Sequence, residues 1–253
     1  VGCDFSSSPS RRKPIVVAQG VWSATDTSVQ LQGFATFSTL DDWAAFLQED
    51  YAWVGGFDLP FGLPRELVES LSWPTDWQAC MLHYASLSRS SIRDQFKAFC
   101  AARPVGRKFA HRTTDGPAGA SPSMKWVNPP VAYMLHAGVP RLLAAGVDWP
   151  GLLRTNSRKV ALEAYPGMLA RAVLGRRSYK SDDSLKQTTE RADARAYCLS
   201  ALLSGQHPLG IRLQATPQQQ AWMQQDASGD HLDAAICMLQ AAWGLQQHQA
   251  GEE

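Results

Sequence analysis

Over its first sixty residues the chain runs in short apolar blocks broken by polar turns, and beyond them the helical period dominates. "VGCD" is a very short apolar strand, and "PIVVAQGVW" and "SVQLQGFATF" supply β-branched and alternating apolar residues. Turn-like "SSSPSRRKP" and "SATDT" separate them, so the pattern predicts a three-stranded meander that begins at Val1. "STLDDWAAFLQED" predicts a short helix, with Ser38 or Thr39 as N-cap and Leu40, Trp43, Ala44 and Leu47 on one face. "YAWVGGFDLPFGLP" then reads as a buried strand that ends in Asp58 and is stopped by Pro60 and Pro64, and "RELVESL" opens another helical turn.

Residues 77 to 102 have apolar side chains near helical spacing, from Trp77, Cys80 and Met81 to Phe96 and Phe99. The stretch from 102 to 126 is a long Gly/Pro/Ser-rich connection, of the kind that is functional or mobile in compact domains. A helix follows Pro130, and Pro140 is expected to kink or split it. "RKVALEAYP" is the last predicted strand. "GMLARAVLG", "DSLKQTTERADARAYCLSALLSG" and "TPQQQAWMQQ" predict helices, the third with Thr216 as N-cap and Pro217 at its first position, and "SGDHLDAAICMLQAAWGLQQH" closes the chain as a long one. Strands first and helices after them make this an α/β chain, with no internal repeat.

At 253 residues the chain can fold without a disulfide or structural metal, as one domain with an insertion or as two small domains. The five cysteines are dispersed and lack any metal-ligand spacing, which points to a reducing cytoplasm. No apolar run approaches the ~20 residues of a membrane span. The chain opens without a methionine and almost inside a strand, so a few residues are expected to precede Val1. Glycine-rich nucleotide loops and a serine nucleophile elbow are both absent from the sequence, which counts against a third class of reading, an actin- or sugar-kinase-like protein, and against serine-hydrolase chemistry.

Net charge is only +1, but the charges are segregated. Nine acids against Arg65 alone occupy the stretch from Asp26 to Asp76, whereas eight Lys/Arg against Asp94 and Asp115 occupy Ser86 to Trp126. Residues 154 to 180 are basic again, and beyond Arg212 the only basic side chains are histidines. Solvated helix faces of different sign explain such blocks; a polyanion held over a cation-binding carboxylate cluster explains them too.

Four acids stand out by position: Asp4 and Asp58 at strand ends, and Asp230 and Asp233 opening the last helix. Singly, the first two suit turns, and the last two suit an N-cap and an N3 acid that favour the helix dipole. Together they suit something else. Carboxylates at the ends of neighbouring strands converge at one sheet edge, and acids three apart share a helix face. Such a cluster raises its own pKa values unless a cation neutralises it, and Mg²⁺ or Mn²⁺ is the natural occupant. Asp4, Asp58 and Asp233 are therefore expected to lie close enough to share a cation, with the hydroxyls and N–H groups of Ser6 and Ser7 offered to a phosphate.

"VGCDFSSSP", "GGFDLPFGLP", "ALEAYP" and "DHLDAAICMLQAAW", in this order from Val1 to Trp243, resemble the DUF429 family of predicted nucleases with a ribonuclease H-like fold. The resemblance implies a mixed sheet with helices on both faces, here a single domain over 1–253 carrying a mainly helical insertion at about 73–150. It implies a hydrolase for nucleic acid, RNA or DNA, with Asp4, Asp58, Asp230 and Asp233 as catalytic and metal-binding acids and Glu163 as a further ligand. The acid that ribonuclease H proper carries on its first helix has no counterpart, since Asp41, Asp42, Glu49 and Asp50 suit an exposed helix face. Arg107, Lys108 and Arg112 in the basic connection, with Lys180 in "RRSYKSDD", are the candidates for holding the phosphate backbone. His231 lies between two of the acids, and Trp126 is a candidate for base stacking. Two functions of different class follow: a metal-dependent nuclease working through two metal ions, and a non-catalytic nucleic-acid or protein-binding module.

Overall fold

The computed structural model describes residues 1–251. It is an α/β structure built on one six-stranded mixed sheet: β1 (Gly2–Asp4), β2 (Ile15–Ser23), β3 (Ser28–Phe37), β4 (Trp53–Phe57), β5 (Lys159–Glu163) and β6 (Arg212–Gln214). The strands lie in the order β5-β4-β1-β2-β3-β6. β2 is antiparallel to β1 and to β3, while the pairs β1–β4, β4–β5 and β3–β6 are parallel, so β2 alone runs against the rest. The predicted meander is present, and β6 is an addition: three residues carry no readable period, and they are placed by pairing with Ser28–Gln30 at the edge.

Alternation along the strands divides the core in two. Ile15 and Val17 of β2 face one side with Cys3, Phe57 and Ala161; Val16 and Ala18 face the other with Val29 and Leu31. The first side is covered by α1 (Leu40–Gln48) and by helices that lie between β4 and β5: α2 (Arg65–Ser70), α3 (Trp77–Ser86), α4 (Arg89–Ala101), α5 (Asp115–Ala118) and α6 (Val131–Ala144). Their buried Tyr84, Ile92, Phe96, Leu135 and Leu142 belong to the same apolar cluster as the sheet residues, so the insertion shares the core. The second side is covered by α7 (Pro166–Leu174), α8 (Thr189–Ser204), α9 (Pro217–Gln225) and α10 (Asp230–Ala250).

The helices depart from the sequence pattern where caps intervene. The single helix expected over 77–102 is two, because Leu87 is extended and the Ser88 hydroxyl caps α4 by accepting from the Ser91 N–H. A 3-10 turn at Ser184–Lys186 precedes α8, which starts only at Thr189. Pro140 lies inside α6, which runs on through it. Thr216 and Gln219 form a reciprocal capping box on α9, and Pro217 stands at its start as expected. Among the described residues, no helix is long and apolar enough to cross a membrane.

α10 lies directly on β1 and β4. Gly2 and Gly56 are register partners, and a β-carbon on Gly2 would stand 2.0 Å from the Met238 nitrogen, one on Gly56 2.3 Å from the Cys237 oxygen. Both obstacles are backbone, so no rotamer change relieves them. Gly2→Ala and Gly56→Ala should each lower unfolding free energy by about 1–3 kcal/mol or more, as overpacked cores do. Gly33→Ala, whose β-carbon meets nothing within 4 Å, should stay within about 0.5 kcal/mol of the parent. Urea denaturation of the three variants checks this, and equal stabilities would contradict the close contact.

Candidate metal centre

The ladder between the central parallel strands carries on past their assigned ends. Gly56 N–H donates to Val1 O (3.0 Å), Asp58 N–H to Cys3 O (2.9 Å) and Ala164 N–H to Phe57 O (3.0 Å). Cys3 pairs with Phe57 in register, so Asp4 and Asp58 are the next pair at the carboxyl ends of β1 and β4. Because side chains alternate, these two point to the face of Gly2 and Gly56, where α10 lies. Its first turn brings Asp230 and Asp233.

Gly229, at a φ of 81°, is the residue that caps α10, and no side chain caps it. Asp230 and Asp233 are thus inside the helix, and neither takes the N-cap position that the plainer reading assigns to Asp230. Asp233 is fully buried and held by other groups: the Tyr179 hydroxyl donates to its Oδ1 (2.6 Å), and the Lys180 ammonium pairs with its Oδ2. The segment that delivers them is fixed in turn. Arg195 donates to Tyr179 O (2.8 Å), and Ser181 N–H donates to Ala227 O (3.0 Å).

These carboxylates act on one another through space. Asp4 is held well above the ordinary carboxylate range, first by burial and then by Asp233, Asp230 and Asp58, with Lys180 opposing. Burial, Asp233 and Glu163 push Asp58 up to about 7, again against Lys180. Asp230 is raised by burial and by Asp226. Burial alone would lower the Lys180 ammonium, but Asp233 and Asp4 outweigh it, and its pKa lies well above the usual value.

Glu163 acts on Asp58 through space and is held by partners of its own. It pairs in register with Phe57, and so belongs to the opposite face from Asp58. There it accepts from the Phe61 N–H (2.9 Å) and from both terminal nitrogens of Arg112 (2.7 and 2.6 Å). Arg112 also donates through Nε to the buried Asp115 (2.9 Å), which makes it a structural tie between the insertion and β5. Its guanidinium is engaged by two carboxylates, whereas Arg107 and Lys108 are exposed. The Ser6 hydroxyl accepts from Ser8 N–H (3.4 Å), and the backbone carbonyl of Ser7, not its hydroxyl, accepts from Arg89 (2.6 Å). His231 is held by Asp226, which accepts from its Nδ1 (2.8 Å) and its backbone N–H (3.0 Å), and its ring meets the edge of Phe34. Trp126 packs against Phe109 and Phe96. Tyr179 and Asp226 are the partners that sequence reasoning missed. A tyrosine directly before a candidate lysine was the one available signal for the first.

The donor chemistry suits a hard divalent cation. Asp4 and Asp58 accept no side-chain hydrogen bond from any described residue, so their oxygens are free, and their raised proton affinity marks sites that a positive charge would relieve. Among the described residues, however, no three His, Cys, Asp or Glu side chains stand as a ready-made metal cage. The cation in place at the cluster is the Lys180 ammonium.

The Asp58 shift has a definite sign. A carboxyl that binds its proton more tightly in the folded chain favours folding at low pH, and this contribution is lost as pH rises from the unfolded value near 4 through about 7. In EDTA, the stability of Asp58→Asn relative to the parent should therefore grow between about pH 5 and about pH 8. Denaturant titrations at several pH values measure it, and a difference that is flat or shrinks would contradict the raised pKa. In comparisons with protein-family models, curated proteins and solved structures, nothing matches this chain, so the function has to be read from this geometry.

Proposed function

We propose that this chain is a metal-dependent nuclease of ribonuclease H-like fold that hydrolyses phosphodiester bonds at Asp4, Asp58, Asp230 and Asp233. One observation carries the reading: Asp4 and Asp58 at the carboxyl edge of the sheet are acted on through space by Asp233 from the start of α10, and Asp4 by Asp230 as well, while Asp4 and Asp58 have no hydrogen-bond donor among the described side chains. The sheet supports it as well, with the meander first, β2 alone antiparallel, and β4 and β5 added in parallel on the far side of β1.

When bound, Mg²⁺ or Mn²⁺, as a pair in the two-metal form, would polarise the phosphodiester and lower the pKa of an attacking water. The chain's own part is positioning. Asp4 and Asp58 offer free oxygens from rigid, adjacent strands. Tyr179 fixes the rotamer of Asp233 by holding Oδ1. Lys180, half-exposed at 40%, has a long stem that lets its ammonium leave Asp233 Oδ2 for a phosphate oxygen at the same edge. The exposed Arg107 and Lys108 add positive charge toward a nucleic-acid backbone.

The Lys180–Asp233 pair also favours a second reading, a nucleic-acid-binding module in which the chain's own lysine has taken the cation's place. Calorimetric titration with Mn²⁺, beside cleavage assays on single-stranded, duplex, hybrid and junction substrates, separates the two. The nuclease reading expects Mn²⁺ to bind the parent and Mg²⁺- or Mn²⁺-dependent cleavage to occur. Asp4→Asn should lose both by at least about tenfold while it unfolds no more easily in EDTA, since one repelling charge is gone. Metal-independent cleavage, or equal activity in parent and variant, would overturn it; binding of nucleic acid with no heat from Mn²⁺ would establish the module.

A further inference from the structure

Two cavities meet at Asp58. The first, of about 370 Å³, lies between the carboxyl ends of β4 and β5 and the insertion. The second, of about 260 Å³, lies beside the first turn of α7. Asp58, Tyr165 and Lys180 line both, so Tyr165 stands as the partition between them.

Their linings differ in kind. The first has an apolar wall that includes Pro60, Ala120, Pro129 and the flexible Met134, faces the charged Asp58, Arg112, Asp115, Glu163 and Lys180, and carries the hydroxyls of Thr114 and Ser121. Those two hydroxyls make no hydrogen bond to any described residue. Its size lies at the lower end of the ~300–1,000 Å³ range of small-ligand sites. The second cavity is cationic, with Arg171 and Arg177 joining Lys180. Arg171 stacks over the Tyr165 ring at 5.2 Å and donates to Ala118 O, which ties the partition to the insertion. On the insertion side, the Arg112–Glu163 pair lines the wall.

Resting on the nuclease reading above, we propose that the first cavity receives the base and sugar of one unpaired nucleotide beside the scissile phosphate, and the second an adjacent phosphate. The substrate would then be a single strand, or a duplex interrupted by an unpaired nucleotide. A chain that crosses Asp58 and Lys180 has its phosphates on the cationic side and a base to place on the other. The apolar wall takes one flat heterocycle between Pro and Met side chains, with free hydroxyls for its polar edge, as pockets for extruded bases do. A stacked base pair does not enter a space of this size.

The test is binding in EDTA, where no cleavage occurs. Nucleoside 5′-monophosphates, a fluorescent single strand, a continuous duplex and a duplex with one unpaired nucleotide are titrated into the parent, Ala120→Phe and the double variant Thr114→Ala/Ser121→Ala. The parent should bind the single strand and the interrupted duplex at least tenfold more tightly than the continuous duplex, and should bind the mononucleotides. Ala120→Phe, which fills the cavity, should lose at least tenfold for the single strand yet take up Mn²⁺ as the parent does. If Ala120→Phe fails to fold, the double variant, expected to lose several-fold, decides the matter. Continuous duplex bound as well as single strand, no mononucleotide binding by the parent, or single-strand binding unchanged in a folded variant would each overturn the proposal. Mn²⁺ titration and cleavage judge the nuclease reading separately: a parent that binds mononucleotides in EDTA but takes up no Mn²⁺ keeps the pocket and loses the nuclease.

Discussion

The backbone of α10 rests on Gly2 and Gly56 with no side chain between, and the position of every other part of the site depends on this contact. Any other residue at either glycine would lift the helix off the sheet. The helix answers with small or slender groups on the same face, Ala234, Ala235, Cys237 and Ala241, all buried. Close approach fixes depth and register together, since each glycine is opposed by a specific backbone atom of α10. Asp233, one turn into that helix, is thereby carried down among the carboxylates of β1 and β4. Helix burial over 21 residues supplies apolar area, but the two glycines decide where its first turn ends up.

Strand parity does the next sorting. Gly2 and Asp4, like Gly56 and Asp58, are two residues apart, so the glycine that admits α10 and the acid that meets its first turn necessarily share a face. Phe57 and Glu163 are register partners on the other face, and for that reason Glu163 meets Arg112 of the insertion. A one-residue shift between β4 and β5 would exchange the role of Glu163 with that of a neighbour. The parallel hydrogen bonds that continue to Asp58 and Ala164 hold that register up to the edge of the site.

Register and parity also set the limit of what the amino-acid sequence reveals. The order of strands and helices is legible because each follows its own period, and the four aspartates are legible because they fall at element ends, where side chains gather. Facing is not legible: whether Glu163 joins Asp58 depends on register between strands some hundred residues apart. Local chemistry hides the break between α3 and α4, where apolar spacing continues across Leu87 while Ser88 starts a new helix. Long-range pairing hides the rest. Nothing in "RRSYKSDD" shows that Tyr179 and Lys180 meet Asp233 more than fifty residues later, nor does the basic run from Arg103 to Lys125 show that Arg112 faces inward onto two acids. β6 is too short to carry a period at all.

The acids of the interior can be ordered by what answers each of them. Asp148 accepts from the Thr155 N–H and from Arg154; Asp115 accepts from the Arg112 N–H and guanidinium. Asp226 is held below the usual carboxylate range: burial works against it, but His231 and Ser228 outweigh that. Asp233 has Tyr179 and Lys180. A fold that provides a donor for each of these carboxylates leaves Asp4 and Asp58 with none among the described side chains, and Asp58 opens onto both cavities. Lys180 touches Asp233 and acts on the other two only through space, so its single charge meets at least three carboxylates. The remainder has two physical outlets: protonation, which the raised pKa values of Asp4 and Asp58 express, or a further cation from solution. The second would release the protons and leave both carboxylates charged, so on the nuclease reading proposed above metal uptake at this edge should become tighter as pH rises.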